Sequence, residues 1–293
     1  KFGCLRFVLV FAREIYERID IMANFHSDAW AHAQVQRHLD FARTLYKPEQ
    51  IVGVFCQGST NYGLDIETSD FDSKCIVVPT FKEIALARKP VSTTHFLPNG
   101  EHCDGKDIRL YMETFRKQNL NFLEILFTKY SLVNAKYDWV WQDLIKARED
   151  IAHMNPHRAV KSMKGVAMEK FHAMEHRYPT KVDIIDKYGY DGKQTHHLIR
   201  VDDFLTRFIA GESYESCMTP SACLIDELQA YKRHQIPLET ARKRAGEVLE
   251  HVTTIADAFC ESRKDEEDKY CRWLLEDVSY RIMRIATLEE LCK

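Results

Sequence analysis

The sequence predicts an α+β chain, a short mixed β-sheet flanked by helices and followed by a C-terminal helical domain. Two patterns carry that expectation. Up to about residue 111, short apolar or alternating runs are separated by glycine and proline turns, as strands are. Beyond Glu113, apolar residues recur at three-to-four spacing almost to the end, as on helices with one buried face. With 293 residues, 45% of them hydrophobic, the chain can build one large domain or two ordinary ones around a real core.

The elements follow in order. Lys1 to Ala12 is apolar, but Arg6 interrupts it, it is too short to span a bilayer, and no small-residue cleavage site follows. Residues 1–21 therefore read as an N-terminal extension, packed on the domain as a helix, ahead of a plausible start at Met22. Ser27 to Tyr46 reads as a helix that Pro48 ends. Ile51 to Cys56 reads as a buried strand running into the glycine turn Gln57–Gly63, and Phe71 to Val78 as a second strand closed by Pro79. Residues 79–105 read mostly as loop, with Asn99-Gly100 and Asp104-Gly105 as turns. Asp107 to Tyr111 alternates polar and apolar, the pattern of a third strand.

The second half is helical. Asn155 caps and Pro156 opens a helix to about Tyr178, and Gly211 ends another from Lys193 to Ala210. Further helices fit 221–234, 238–262 and 266–291. Trp139, Trp141 and Trp273 are read as core. The domain division expected is 22–135 for the sheet-bearing part and 136–293 for the helical part.

A net charge of -3 excludes a nucleic-acid footprint spread over the whole surface, so any polyanion contact must come from a local basic patch. The nine cysteines are dispersed, odd in number and without CxxC spacing, which argues for reduced thiols in a cytoplasmic protein with no membrane association.

The chemistry concentrates between residues 58 and 72. Side chains alternate along a strand, so Asp70 and Asp72 share one face while Phe71 enters the core. Two carboxylates that close repel unless a cation stands between them, which suits hard divalent ions with oxygen ligands. Gly58 lets backbone approach a phosphate, and Ser59 and the following amides add donors. Asp107 is expected across from the pair, as the third metal ligand and as the base for an attacking hydroxyl. Asp65 and Glu67 read as solvated charges. On the later helix, Lys193, His197 and Arg200 fall at i, i+4 and i+7, a cationic stripe able to hold a triphosphate or an acceptor strand. Lys161, Lys164 and Lys170 recur along one helix and read first as an ordinary charged face, with a wider basic surface as the alternative. Asn121 and Glu124 either contact nucleotide or order the site.

Together, Gly58-Ser59, ten intervening residues and Asp70-Phe71-Asp72 resemble the signature of the DNA polymerase beta superfamily of nucleotidyltransferases. Gly58-Ser-x-x-Tyr-Gly63, Ser69-Asp-Phe-Asp72, Lys106-Asp-Ile-Arg-Leu-Tyr111, the stretch Lys117 to Leu126 and Lys193-x-x-His-His-Leu-Ile-Arg200 are similar to a bacterial and phage branch associated with RNA repair. The resemblance spans about residues 50–250. It implies the nucleotidyltransferase fold and transfer of NMP from an NTP such as ATP to a hydroxyl, with Mg²⁺ (or Mn²⁺) bound and pyrophosphate released. RNA 3′ ends are the first acceptor it implies. A protein hydroxyl, as in antitoxin-type adenylyltransferases, is the second, and a small molecule such as an aminoglycoside the third. A catalytically silent nucleotide-binding regulatory module is the rival from another class.

Overall fold

A computed structural model of the chain describes residues 25–292; the extension read at 1–21 and the start at Met22 lie outside the described residues. Helix α1 (Asp28–Leu45) opens where the Ser27 hydroxyl accepts the Trp30 N–H at 3.2 Å. Its buried residues Ala31, Val35, His38 and Ala42 stand three or four apart, so one face packs on the sheet.

That sheet has five strands among the described residues: β1 (Ile51–Gln57), β2 (Asp72–Val77), β3 (Ser92–Phe96), β4 (His102–Asp107) and β5 (Ser131–Val133). Their order is β3-β4-β2-β1-β5. Only β2 and β4 run parallel, and the other pairs are antiparallel, so the sheet is mixed as expected. Val54, Cys75, Val77 and Cys103 join α1 on one face. Val52, Phe55 and Ile76 join the helical remainder of the chain on the other.

Residues 79–105 are not mostly loop. Thr80 and Glu83 form a capping box that starts α2 (Phe81–Ala85), and β3 and β4 make a hairpin turned at Asn99-Gly100. Being the polar, largely exposed edge of the sheet, β3 has no apolar alternation to read. Asp104-Gly105 lies inside β4, where the Tyr46 side chain occupies the space a Cβ on Gly105 would need.

Asp107 to Tyr111 is not a strand either. Asp107 ends β4 and caps α3 (Ile108–Arg116), whose buried Ile108, Tyr111, Met112 and Phe115 follow helical spacing. A five-residue window cannot separate the first turn of an amphipathic helix from strand alternation.

The chain continues through α4 (Leu120–Leu123), α5 (Ala135–Lys146), α6 (Arg148–Ala152) and α7 (Pro156–Ala173). Asn155 caps α7 as expected, and the helix ends at Ala173 instead of near Tyr178. Then come α8 (Val182–Tyr188), α9 (Gly192–Ile209), α10 (Tyr214–Met218), α11 (Ile225–Lys232), α12 (Leu238–Glu261) and α13 (Lys269–Leu291). Helix α9 packs against α7, α11 and α12, while α13 returns to α5 and α3.

One apolar cluster runs from Val52 and Phe55 of β1 through Trp141 to Val278 and Ile282 of α13, so among the described residues the sheet-bearing and helical parts share a core. Of the three tryptophans expected there, Trp141 is buried, whereas Trp139 and Trp273 are more than half exposed. The described cysteines are free. No helix among the described residues is long and apolar enough to cross a membrane.

Candidate functional site

The site is built on the end of β1. Gly58 follows with φ +94° and ψ −154°, a backbone region open only to glycine. Ser59 to Asn61 then form a single 3₁₀ turn, with the Asn61 N–H on the Gly58 carbonyl at 2.9 Å. Glu124, fully enclosed at the end of α4, holds this turn. Its carboxylate accepts the Gly58 N–H at 2.9 Å and the Tyr62 O–H. The Gly58 amide is thus engaged by Glu124 instead of being offered to a phosphate, and the donors left to the turn are those at Ser59 and beyond.

Phe71 anchors the acids. It is fully buried, its ring meeting Trp30 edge-on at 5.8 Å and His38 at 5.1 Å. Strand β2 begins only at Asp72, so Asp70 and Phe71 precede it, yet Asp70 and Asp72 line one cavity while Phe71 is buried away from it. Asp72 opens β2, and its Oδ1 accepts the His102 N–H from β4 at 3.0 Å. Asp70 is half exposed and has the Lys193 ammonium at 3.6 Å. Burial and the neighbouring Asp70 both push the Asp72 carboxyl above its ordinary range. This is the electrostatic state of a carboxylate pair that a cation would relieve. Among the described residues no three His, Cys, Asp or Glu side chains stand close enough to hold an ion by themselves. Two carboxylates nonetheless fit Mg²⁺, which commonly takes one or two from the protein and the rest from phosphate and water.

The structure does not bring Asp107 to this pair. On β4 it is the partner of Val77, five residues along β2 from Asp72, or roughly 16 Å at strand rise. It also points to the opposite face, since Asp72 shares its face with His102, Asp104 and Lys106. The Asp107 carboxylate is occupied as a helix cap, accepting the Arg109 N–H at 2.9 Å, Nε at 2.9 Å and Nη2 at 2.7 Å. Asp104 lies on the correct face but is paired with the Lys74 ammonium at 2.5 Å. Burial pushes the Asp104 carboxyl up, and Lys74 outweighs this to hold it below its ordinary value.

Opposite the acids, α7, α9 and α11 close a cavity of about 170 Å³ with a basic wall. Lys193, His197 and Arg200 all line it, but not as one open stripe. Lys193 faces Asp70. Burial drives His197 well below its usual titration range, so it stands neutral. Arg200 is only 3% exposed, its guanidinium lying 3.9 Å over the Tyr62 ring and attracted to Glu124. It ties α9 to the Gly-Ser turn.

Lys232 was not legible from sequence as a site residue, since it is one charge at the end of a helix. It reaches across from α11 and donates to Ser59 Oγ at 3.1 Å, the Leu64 carbonyl at 2.9 Å and Ser69 Oγ at 2.9 Å. Burial, with Lys193 adding repulsion, lowers its ammonium to about 8. Lys170 and His196 also line the cavity; burial lowers His196 to about 3, and its Nδ1 bonds the Leu228 carbonyl at 3.0 Å. Asp65, expected in solvent, is buried and accepts the N–H groups of Phe25 at 3.0 Å and His26 at 2.9 Å. Glu67 is exposed and meets Arg233 at 3.2 Å.

Glu124 gives a pH signature. Burial lifts its carboxyl from 4.5 to about 8, with Arg200 and the Gly58 N–H pulling the other way. An acid raised on folding stabilises fully below its unfolded value and loses that contribution as pH climbs through its folded one. Glu124 therefore lowers stability between about pH 4.5 and 8, by up to about 1.4 kcal/mol per pH unit. Glu124→Gln keeps an acceptor for the Gly58 N–H and is expected to flatten this slope. Urea unfolding of both proteins across that range checks it, and parallel slopes would refute it.

No protein-family model and no curated protein matches the chain. Among solved structures, it is similar to a nucleotidyltransferase-like protein from Exiguobacterium sibiricum, with 13% identity, covering 77% of this chain and 74% of that one, at a TM-score of 0.27.

Proposed function

We propose that this chain is a nucleotidyltransferase that moves NMP from an NTP to a hydroxyl acceptor and releases pyrophosphate. One observation carries the reading: a cavity with Asp70 and Asp72 on one wall, Lys193 and Lys232 on the other, and the Gly58-Ser59 turn at its edge. Paired carboxylates facing paired ammonium groups suit a metal-bound polyphosphate, which needs both signs of charge within reach. A mixed sheet carrying those acids is also what the sequence resemblance implies.

In the proposed reaction the acceptor oxygen bonds the α-phosphorus, the bond to the β-phosphate oxygen breaks, and the hydroxyl proton passes to a base. Mg²⁺ held by Asp70 and Asp72 would neutralise phosphate charge and orient the α-phosphate. Lys193 holds the β- and γ-phosphates, Lys232, its three hydrogens spent on Ser59, Leu64 and Ser69, adds positive charge behind the turn, and the Ser59 hydroxyl adds a donor. The His102 N–H fixes the Asp72 carboxylate, and Glu124 keeps the turn in place. Asp107 faces away and Asp104 is neutralised by Lys74. Asp72 is then the carboxylate nearest to an incoming hydroxyl proton. RNA 3′ ends are the acceptor favoured by the resemblance.

Incubation with each α-labelled NTP, Mg²⁺ and separate RNA, DNA and protein pools tests the reading. Label is expected in one pool, with stoichiometric pyrophosphate. Metal-dependent NTP binding with no label in any pool would leave a silent nucleotide-binding module.

A further inference from the structure

Next to the acids, on the side away from the lysines, the β3–β4 hairpin exposes two rings. Phe96 ends β3 with 64% of its surface free. It meets the His102 ring edge-to-face, centroids 4.9 Å apart and planes at 82°. The His102 side chain is 45% exposed, with Nδ1 3.8 Å from Asp72 Oδ1. An exposed ring alone would be unremarkable on a protein surface. This one is coupled through a single residue to a carboxylate of the proposed site.

We infer that the Phe96–His102 pair is the platform for the acceptor, with the terminal base of a single-stranded nucleic acid stacked on the exposed Phe96 ring so that its sugar hydroxyl meets Asp72. The inference rests on the proposed transferase reading. Exposed ring faces are what single strands use, because every base has a π-face. A peptide would dock differently, by adding a strand to the free edge of β3. It would then lie three strand spacings from β2, about 14 Å, too far for its hydroxyl to reach Asp72. A base on the platform lies over β4 and β3, one to two spacings away. The geometry favours the nucleic acid.

Binding of a fluorescent single-stranded RNA oligonucleotide to the full chain, followed by anisotropy without NTP, tests this. Phe96→Ala is expected to weaken binding by about tenfold or more, the range for losing one stacked base. Phe96→Trp is expected to bind at least as tightly as wild type. Binding of a non-hydrolysable NTP analogue should be unchanged in both. Equal oligonucleotide affinity of Phe96→Ala and wild type, or no oligonucleotide binding by wild type alongside label in a protein pool, overturns the platform. Phe96-dependent binding with no transfer to any pool overturns the transferase reading and leaves the platform standing.

Discussion

Asp72→Asn is expected to reduce nucleotidyl transfer by about 10³-fold or more while leaving the fold intact and no less stable. The loss follows from removing half of the carboxylate pair, since charge neutralisation at a transferring phosphate is worth several kcal/mol. The stability follows from the state of the free protein. Burial and Asp70 hold the Asp72 carboxyl above its ordinary value, so folding disfavours its charge. A raised acid loses its stabilising contribution as pH climbs through its folded value; at neutral pH the ionised group is a liability that asparagine removes. The amide still accepts the His102 N–H. Asp70→Asn should remove transfer as well, and it relieves the same repulsion from the other side. Mg²⁺ with a non-hydrolysable NTP should raise the melting temperature of wild type and have little effect on either variant. Transfer rates and melting curves with and without Mg²⁺ check both halves. Undiminished transfer in both variants would refute the role of the pair.

The parts of the site legible in sequence are those fixed by local rules. Asp70-Phe71-Asp72 needs only an extended run into β2 and one buried aromatic. Gly58 needs only a strand that must turn sharply. The helices from 156 onward were readable because long amphipathic runs repeat their period many times. What was not legible depends on partners far along the chain. Asp107 carries the residue type expected of a third acid, but two residues later Arg109 claims its carboxylate and the chain turns into α3. Arg200 matched a surface stripe by spacing, whereas Tyr62 and Glu124, contributed by other elements, draw it inside. Edge strand β3 was missed because it is polar and exposed, β4 because its residues are polar though it lies inside the sheet, and β5 because three residues carry no period. Asp65 looked solvated because its partners, the Phe25 and His26 amides, lie about forty residues upstream.

Lys232 provides the second large effect, and its pH dependence separates it from an ordinary surface charge. Its ammonium donates to Ser59, Leu64 and Ser69, and burial with Lys193 lowers it to about 8. Replacing Lys232 by alanine removes a positive charge beside the phosphates and orphans acceptors at Ser59, Leu64 and Ser69. The KM for NTP should rise by about 10- to 100-fold at neutral pH. The free protein and the complex should then respond to pH in opposite directions. A lysine whose folded value lies below its unfolded one sheds its proton first in the folded state. The Lys232 contribution to stability therefore rises between about 8 and 10.5. Nucleotide affinity should fall over the same range, because a neutral amine no longer offsets the phosphate charge. Lys232→Arg, charged throughout, is expected to bind less well at neutral pH, since a planar guanidinium cannot reproduce three convergent bonds. Its affinity should nevertheless stay flat above pH 8. Calorimetric titration with a non-hydrolysable NTP across that range reads both curves. An affinity that falls equally in wild type and Lys232→Arg would assign the titration to another group and remove Lys232 from the phosphate site.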